Sequence, residues 1–503
     1  MQNDETQSFL ADETGQPSNA WLNDQALLLF DFFGPAALNP KGGFWALGRT
    51  GDPLRPSFAA QEVQPLHNAT RFVHCFSLAH RFGFAGAERM IDQGLEFILK
   101  QHRDAQHGGY YWAVSNDGVI DPAKQAYGHA FVLLAAAAAK EVMHPLADRL
   151  LDDIVEVIEQ RFWEPERGAS REEFSADWQA LSTYRGQNSN MHLTEALIAA
   201  FAVTKDTMFL QKAEEIAYLI IDRHARSAQW RVPEHFDGNW EVDLDYSGDP
   251  MFRPAGTTPG HALEWSRLLI ELYQAGEKRH SWLVEAAEQL FLNACQTGWC
   301  RDKGGFYYTL DWQNMPLQRK CLWWPCAEGI AAAATLQQVS DRVEFAHWYR
   351  RIWQFSATHL IDHTRGGWFA ELDQNLKPDE TIFEGKPDLY HAVQACLISL
   401  QSGAKASLCA RWLCSDPWPS GRDRSPLNAL ITLKRRFHKV STTHKARHSK
   451  GLASQLDWPA LAPSQRSTGF PAAVHVQDQL PLMRAFAMAG LAPVTKAYLH
   501  NQP

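Results

Sequence analysis

The chain has 503 residues, 45% of them hydrophobic and 21% charged, a composition that excludes a largely disordered polypeptide. Its formal net charge of −9 argues against general nucleic-acid binding. The longest apolar run, around Phe131 to Ala139, is far too short to span a bilayer. Eight cysteines in so long a chain do not make a disulfide scaffold. Three pairs recur at a C-x4-C spacing, Cys295/Cys300, Cys321/Cys326 and Cys409/Cys414, which is neither a usual zinc spacing nor one that shares a helix face. The opening MQNDETQSFL lacks the basic and apolar regions of a secretory signal, so the expected setting is a reducing cytoplasm.

After an N-terminal extension over residues 1–19, a Gly-Gly-aromatic signature punctuates the chain. It stands at Gly42-Gly43-Phe44-Trp45, Gly108-Gly109-Tyr110-Tyr111-Trp112, Gly304-Gly305-Phe306-Tyr307-Tyr308 and Gly366-Gly367-Trp368-Phe369. The intervals of 66, 196 and 62 residues imply a repeat, with two worn copies in the long gap. Phe174 to Trp178 and Phe236 to Trp240 fall where those copies are due. Between the signatures the text is rich in Ala and Leu and predicts helices in pairs. The pairs are 129–139 with 146–161, 191–203 with 207–223, 261–274 with 282–292, and 327–338 with 343–359. Thr257-Thr258-Pro259-Gly260 is a helix-start signal, with Pro in the first turn. Six helical hairpins that close on themselves predict an all-α fold, an (α/α)6 barrel over residues 20–402, with short aromatic β-hairpin loops at one mouth; an open solenoid is the alternative. Residues 403–503 carry basic clusters (Lys434-Arg435-Arg436, His444 to His448) and read as a basic, partly disordered extension.

The 19 tryptophans serve a large aromatic core first, and beyond that suit a pocket for a ligand with apolar and polar faces, such as a sugar. The polar residues at the start of each inner helix would converge on that mouth. In chain order they are His67 and Arg71; Lys124, Tyr127 and His129; Arg185, Asn188 and His192; Arg253, His261 and Glu264; Trp324 and Glu328; and Lys386, Asp388 and His391. A single buried histidine is ordinarily a satisfied core residue. His192, His261 and His391, at equivalent points of a repeat, are harder to read that way. His261 and Glu264 stand i,i+3 and are expected to hydrogen-bond, which would orient the imidazole. Histidines with arginines suit proton abstraction beside a carbonyl, the arginine steadying enediolate charge. No phosphate-binding glycine loop and no HExxH motif is present. Metal ligation by the three histidines is a further alternative.

The segments TRFVHCF, KQAYGHAFVLLA, NSNMHLTEAL, RVPEHFD, GTTPGHALEWSRLL, WWPCAEGIAA and GKPDLYHAVQACL resemble the N-acylglucosamine 2-epimerase superfamily. Within it they are most similar to the aldose–ketose isomerases, the mannose and sulfoquinovose isomerase group. The resemblance covers roughly residues 20–400. It implies an enzyme without metal or other cofactor that moves a proton through a cis-enediol. By resemblance, His261 and His391 are the acid/base pair, His192 helps bind or open the sugar, and Arg71 contacts O1 and O2. Tyr127, Asn188, Arg253, Glu264, Trp324 and Glu328 match substrate-contacting positions. Pro387, Ala370 and His67 stand where the sulfoquinovose enzyme carries two glutamines and a tryptophan. The implied reaction is therefore D-mannose to D-fructose, with lyxose to xylulose beside it. The partner is a monosaccharide, not a nucleic acid or membrane. A sugar 2-epimerase shares most of the constellation. An inverting glycoside hydrolase would use Glu264 and Glu328 as its carboxylates and leave the histidines without a role. A non-catalytic sugar- or protein-binding module would bind without turnover.

Overall fold

The computed structural model describes residues 15–54 and 63–402. The expected basic extension, most of the N-terminal one and the Cys409/Cys414 pair lie outside them. In chain order the described helices are α1 (Asn19–Ala37), α2 (Leu66–Arg81), α3 (Ala87–Phe97), α4 (Ala126–Glu141), α5 (Ala147–Val157), α6 (Gln187–Thr204), α7 (Thr207–Ala217), α8 (Pro259–Ala275), α9 (Trp282–Gly298), α10 (Trp323–Leu336), α11 (Val343–Phe355) and α12 (Tyr390–Ser402).

The even-numbered helices form an inner ring and the odd-numbered ones an outer ring. The sequence explains the division. In α10 every residue from Trp323 to Leu336 is buried, and α4 is buried almost throughout from Ala126 to Ala139. A helix that is apolar all round must be covered all round. In α5, by contrast, only Ala147, Leu150, Leu151 and Ile154 are buried, the single stripe of an outer helix. The inner helices neighbour one another in the order α2, α4, α6, α8, α10, α12 and back to α2. The outer partners are α3, α5, α7, α9 and α11, and α12 takes α1 from the other end of the chain. The ring is thus closed, as the (α/α)6 expectation requires, and the sixth hairpin is made of the two ends of the described chain.

Four of the outer helices, α3, α5, α7 and α11, hand over to the mouth in the same way. A widened final turn carries i→i+5 hydrogen bonds, as from the Arg103 N–H to the Ile98 carbonyl at 3.0 Å and from Ile361 to Ser356 at 2.9 Å. The glycine signature follows. Its second glycine has a positive φ in all four clear copies: 73° at Gly43, 71° at Gly109, 77° at Gly305 and 71° at Gly367. At Gly305 a Cβ would also lie 2.5 Å from Cys321 Sγ, so only glycine fits. The residue ahead of each inner helix then pairs with an aromatic hairpin of the next unit. The pairs are Gln64 with Val114, Lys124 with Phe174, Arg185 with Phe236, Thr257 with Leu310, Cys321 with Leu372, and Lys386 with Leu47. The last pair stitches the sixth unit to the first.

This stitching corrects four mouth candidates. Lys124 Nζ donates to Asp104 Oδ2 at 2.8 Å and to the Gly108 carbonyl at 2.5 Å. Lys386 repeats the contact on Asp362 and Gly366 at 2.8 and 2.5 Å. Arg185 forks onto Glu164 at 2.7 and 2.9 Å. His129 donates from Nδ1 to the Gln125 carbonyl at 2.7 Å and accepts the Tyr110 N–H at 3.0 Å, and burial pushes its pKa down to about 3. These side chains plug the turns of their own repeats instead of facing the central space. Lys124 and Arg185 lie in strands and Lys386 in an isolated β-bridge, extended backbone whose successive side chains point to opposite faces.

Candidate active site

The first two turns of the inner helices converge at the mouth. Arg71 comes from α2, Tyr127 from α4, His192 from α6, His261 and Glu264 from α8, Trp324 and Glu328 from α10, and His391 from α12. Asp388 stands just ahead of α12.

Two histidine–carboxylate pairs are built here. His391 Nδ1 lies 2.7 Å from Glu328 Oε1. His261 Nδ1 lies 2.8 Å from Glu234 Oε2 and 3.0 Å from Oε1. Gln187 braces the second pair: its Nε2 donates to Glu234 at 2.7 Å and its Oε1 accepts the Trp265 indole N–H at 2.8 Å. The Thr258 N–H at the start of α8 donates to Glu234 at 3.0 Å. A carboxylate behind Nδ1 makes that nitrogen the donor and leaves the Nε2 lone pair free, the tautomer a general base needs. No described residue bonds Nε2 of either ring. The Trp324 indole touches both imidazoles, with centroids at 5.1 Å from His261 and 5.7 Å from His391.

Arg71 is the cation beside them. It donates to Asp388 Oδ2 and to the Tyr127 hydroxyl, both at 2.8 Å, and lies over the rings of Phe131 and Tyr390 at 4.5 and 4.8 Å. Burial alone would raise the Asp388 carboxyl; the charge of Arg71 outweighs it and holds Asp388 below its ordinary range. His192 stands edge-on to Tyr127 at 5.1 Å, and burial pushes its pKa down to about 4.

Beneath the histidines lies a charge cluster with Arg267 at its centre. Its guanidinium reaches Glu328 at 3.0 Å, Glu271 at 3.1 Å, Glu195 at 3.2 Å and Glu264 at 3.6 Å. Burial pushes the Glu264 carboxyl well up and the neighbouring Glu328 adds to the push, against the pull of Arg267. Burial also acts to raise Glu328, but Arg267 and His391 hold it below its ordinary value. Glu264 is therefore not the partner of His261; Glu234, 27 residues away, takes that place, while Glu264 faces His192 and Arg267. The expected i,i+3 bond fails because the imidazole turns out of the helix toward Glu234. Two groups bring three possible ligand atoms within 4.8 Å of one another, His192/Glu195/Glu264 and Glu264/Glu328/His391, and each holds a single histidine. Among the described residues the three histidines do not gather into one such group. The positive charge shared by the two clusters is that of Arg267.

The remaining sequence candidates line the rim. Arg253 pairs with Glu173 at 2.7 Å and Glu172 at 3.6 Å, over the Tyr184 ring. Asn188 donates to the Phe252 carbonyl at 3.5 Å and its buried Oδ1 has no protein partner. His67 stacks on Trp112 at 5.2 Å, and burial holds its pKa near 3 (pushed down to about 3). Sequence reasoning passed over Glu234, Gln187, Glu195 and Arg267. Arg267 did carry a signal, being a cation inside the buried run Ala262 to Ile270. Glu234 sat in the segment RVPEHFD without a role.

Residues 42–395 match the family model described as N-acylglucosamine 2-epimerase (GlcNAc 2-epimerase). D-mannose isomerase of Pseudomonas cannabina pv. alisalensis is 45% identical over 340 residues, 66% of this chain and 82% of its own. D-mannose isomerase of Thermobifida fusca is 43% identical over 389 residues, 76% of this chain and 94% of its own. A crystal structure of a D-mannose isomerase superposes with a TM-score of 0.71 at 30% identity, covering 76% of this chain and 98% of that one. With the closed ring and the converging histidines already in place, these matches establish that the chain belongs to the N-acylglucosamine 2-epimerase family.

Proposed function

We propose that this chain is an aldose–ketose isomerase that converts D-mannose to D-fructose, with lyxose to xylulose as a side reaction and residues 20–402 as its catalytic barrel. The observation that carries the reading is the Glu328–His391 pair set beside Arg71. It joins a base with a free Nε2 to a cation suited to an enediolate. The relatives named D-mannose isomerase support the same substrate. The ligand is a free monosaccharide and the setting cytoplasmic; no described helix is long and apolar enough to cross a membrane.

The geometry supports the following steps. The sugar binds against Trp324 and its ring opens, with His261 passing the ring proton. His391 Nε2 takes the C2 proton of the open aldose, while Glu328 stabilises the imidazolium through Nδ1–H. The charge that builds on O1 and O2 is held by Arg71, kept in place by Asp388 and Tyr127. His391 returns the proton to C1 on the same face while the O2 hydroxyl proton passes to O1, giving the ketose. A 2-epimerase would instead receive a proton at C2 from the opposite face, with His261 as the second group.

Proton NMR of the purified full chain with D-mannose in D2O separates these outcomes. Fructose as first product, with or without deuterium at C1, is the expected result. Glucose ahead of fructose refutes the isomerase in favour of the epimerase. Binding of mannose without turnover of any aldose refutes both.

A further inference from the structure

Four carboxyl groups, Glu195, Glu264, Glu271 and Glu328, surround the single guanidinium of Arg267. Three are tied to it by contacts of 3.0 to 3.2 Å; Glu264 is not, at 3.6 Å. The Glu264 carboxyl is buried to 1% exposure, and its Oε1 has no hydrogen-bond partner. A buried carboxylate left without a partner is the most unfavourable form this group can take, and a proton removes the charge. The atom that faces Oε1 is an orphan too. His192 Nδ1, equally buried, has no partner, and the two lie 3.6 Å apart. A donor on one and a lone pair on the other turn two unsatisfied atoms into one hydrogen bond after a shift of about half an ångström.

We propose that Glu264 is a neutral carboxylic acid that donates its O–H to Nδ1 of His192, and so fixes that imidazole with its proton on Nε2, facing the bound sugar. Glu264 is then a positioning residue, acting through His192. The other acceptor near Nδ1 is Glu195 Oε2, also at 3.6 Å. It already accepts the Tyr390 hydroxyl, and its other oxygen takes Arg267 and Gln394. Burial of His192 among Tyr127, Phe131 and Tyr390 keeps the ring neutral, so one nitrogen must be bare, and the proton on Glu264 selects Nδ1. The result is a donor, not a second base, beside His391. It suits a group that holds a ring oxygen or carbonyl oxygen while the C2 proton moves.

The role in turnover rests on the isomerase reading, but the protonation state does not, and the test treats them apart. A glutamine amide can donate to Nδ1 as a carboxylic acid does, whereas leucine cannot. E264Q is expected to keep at least about 30-fold more kcat than E264L, which loses about 100-fold or more with little change in KM, the scale of losing a positioned proton donor. Infrared difference spectra of wild type minus E264Q in D2O at neutral pH are expected to show the carbonyl stretch of a protonated carboxyl group. A carboxylate band in its place overturns the proposal, as does an E264Q enzyme no more active than E264L, because a charge is then what the site uses. Full activity in E264L overturns it as well, since His192 would then be set by Glu195. If wild type turns over no aldose, the isomerase reading fails alone and the infrared result still decides the state of Glu264.

Discussion

Replacing Glu328 by glutamine tests the base assignment at its hinge. Glu328 accepts from His391 Nδ1 through Oε1 at 2.7 Å and from Arg267 Nε through Oε2 at 3.0 Å. A glutamine offers one oxygen and one NH2 in the same volume. Arg267 can only donate, so it claims the oxygen and turns the NH2 toward His391. Nδ1 must then accept, its proton moves to Nε2, and the lone pair that takes the C2 proton is gone. The same exchange of acid for amide behind a catalytic histidine lowers kcat by about 10⁴-fold in the serine-protease triad. At 1.36 kcal/mol per decade that is about 5 kcal/mol of barrier. We expect E328Q to lose between about 10³ and 10⁴ in kcat, with KM little changed and no recovery at raised pH, because a tautomer and not a charge is at fault. Arg267 keeps Glu195 and Glu271, so the far-ultraviolet circular dichroism should match wild type. The assay is fructose release from mannose at saturation. A folded E328Q enzyme within tenfold of wild type would refute the assignment of Glu328 and His391 as a working pair.

The buried histidines make stability fall in mild acid. Burial lowers His74, His102 and His192 to about 4 and His129 to about 3, so each stays neutral in the fold and gains a proton on unfolding below its ordinary pKa. Stability is complete above about pH 6.5 and declines as pH falls toward 4, by up to about 1.4 kcal/mol per pH unit for each ring. Urea midpoints that stay flat between about pH 7 and pH 5 would contradict this, and H129Q should reduce the slope. K386M leaves Asp362 without its buried cation and cuts the seam between the last unit and the first. It should cost about 3–5 kcal/mol in urea unfolding, much of it regained in K386M/D362N, and a change under 1 kcal/mol would show the seam to be dispensable.

The repeat was legible because positive φ leaves glycine little competition, so the second glycine of the signature stands out even where its surroundings vary. Three outer helices were read to within a residue or two, as 146–161 against Ala147–Val157 and its final turn to Phe162, while 282–292 stopped six residues short of Gly298. The inner helices were read two to four residues late: 129 against Ala126, 191 against Gln187, 261 against Pro259 and 327 against Trp323. Their first turns carry no side-chain cap, since a strand pair from the next unit stands where a Ser or Asp would mark the start. The histidines and Arg71 were legible for the reason the glycines were, equivalent positions in a repeat. Their partners were not. His261 meets Gln187 across 74 residues and Glu234 across 27, a convergence that appears only when neighbouring units are stitched. Lys124, Arg185 and Lys386 misled because extended backbone ahead of a helix, a strand or a β-bridge, reverses the side on which a residue lies.

The pairing of α1 with α12 sets the order in which this molecule can become an enzyme. Five hairpins join helices adjacent in the chain, and each can form as it leaves the ribosome. The sixth must bring together the two extremes of the barrel, the longest loop to close and the one with the largest entropic penalty. His391 and Asp388 belong to that last segment, so the proposed base and the counter-ion of Arg71 arrive only with closure. Helix α1 supplies no group to the site, yet a chain shorn of it would have five sound hairpins and an unanchored base. Catalysis in this architecture reports the joining of the two ends of the described barrel, and a nascent chain stays silent until α12 is seated.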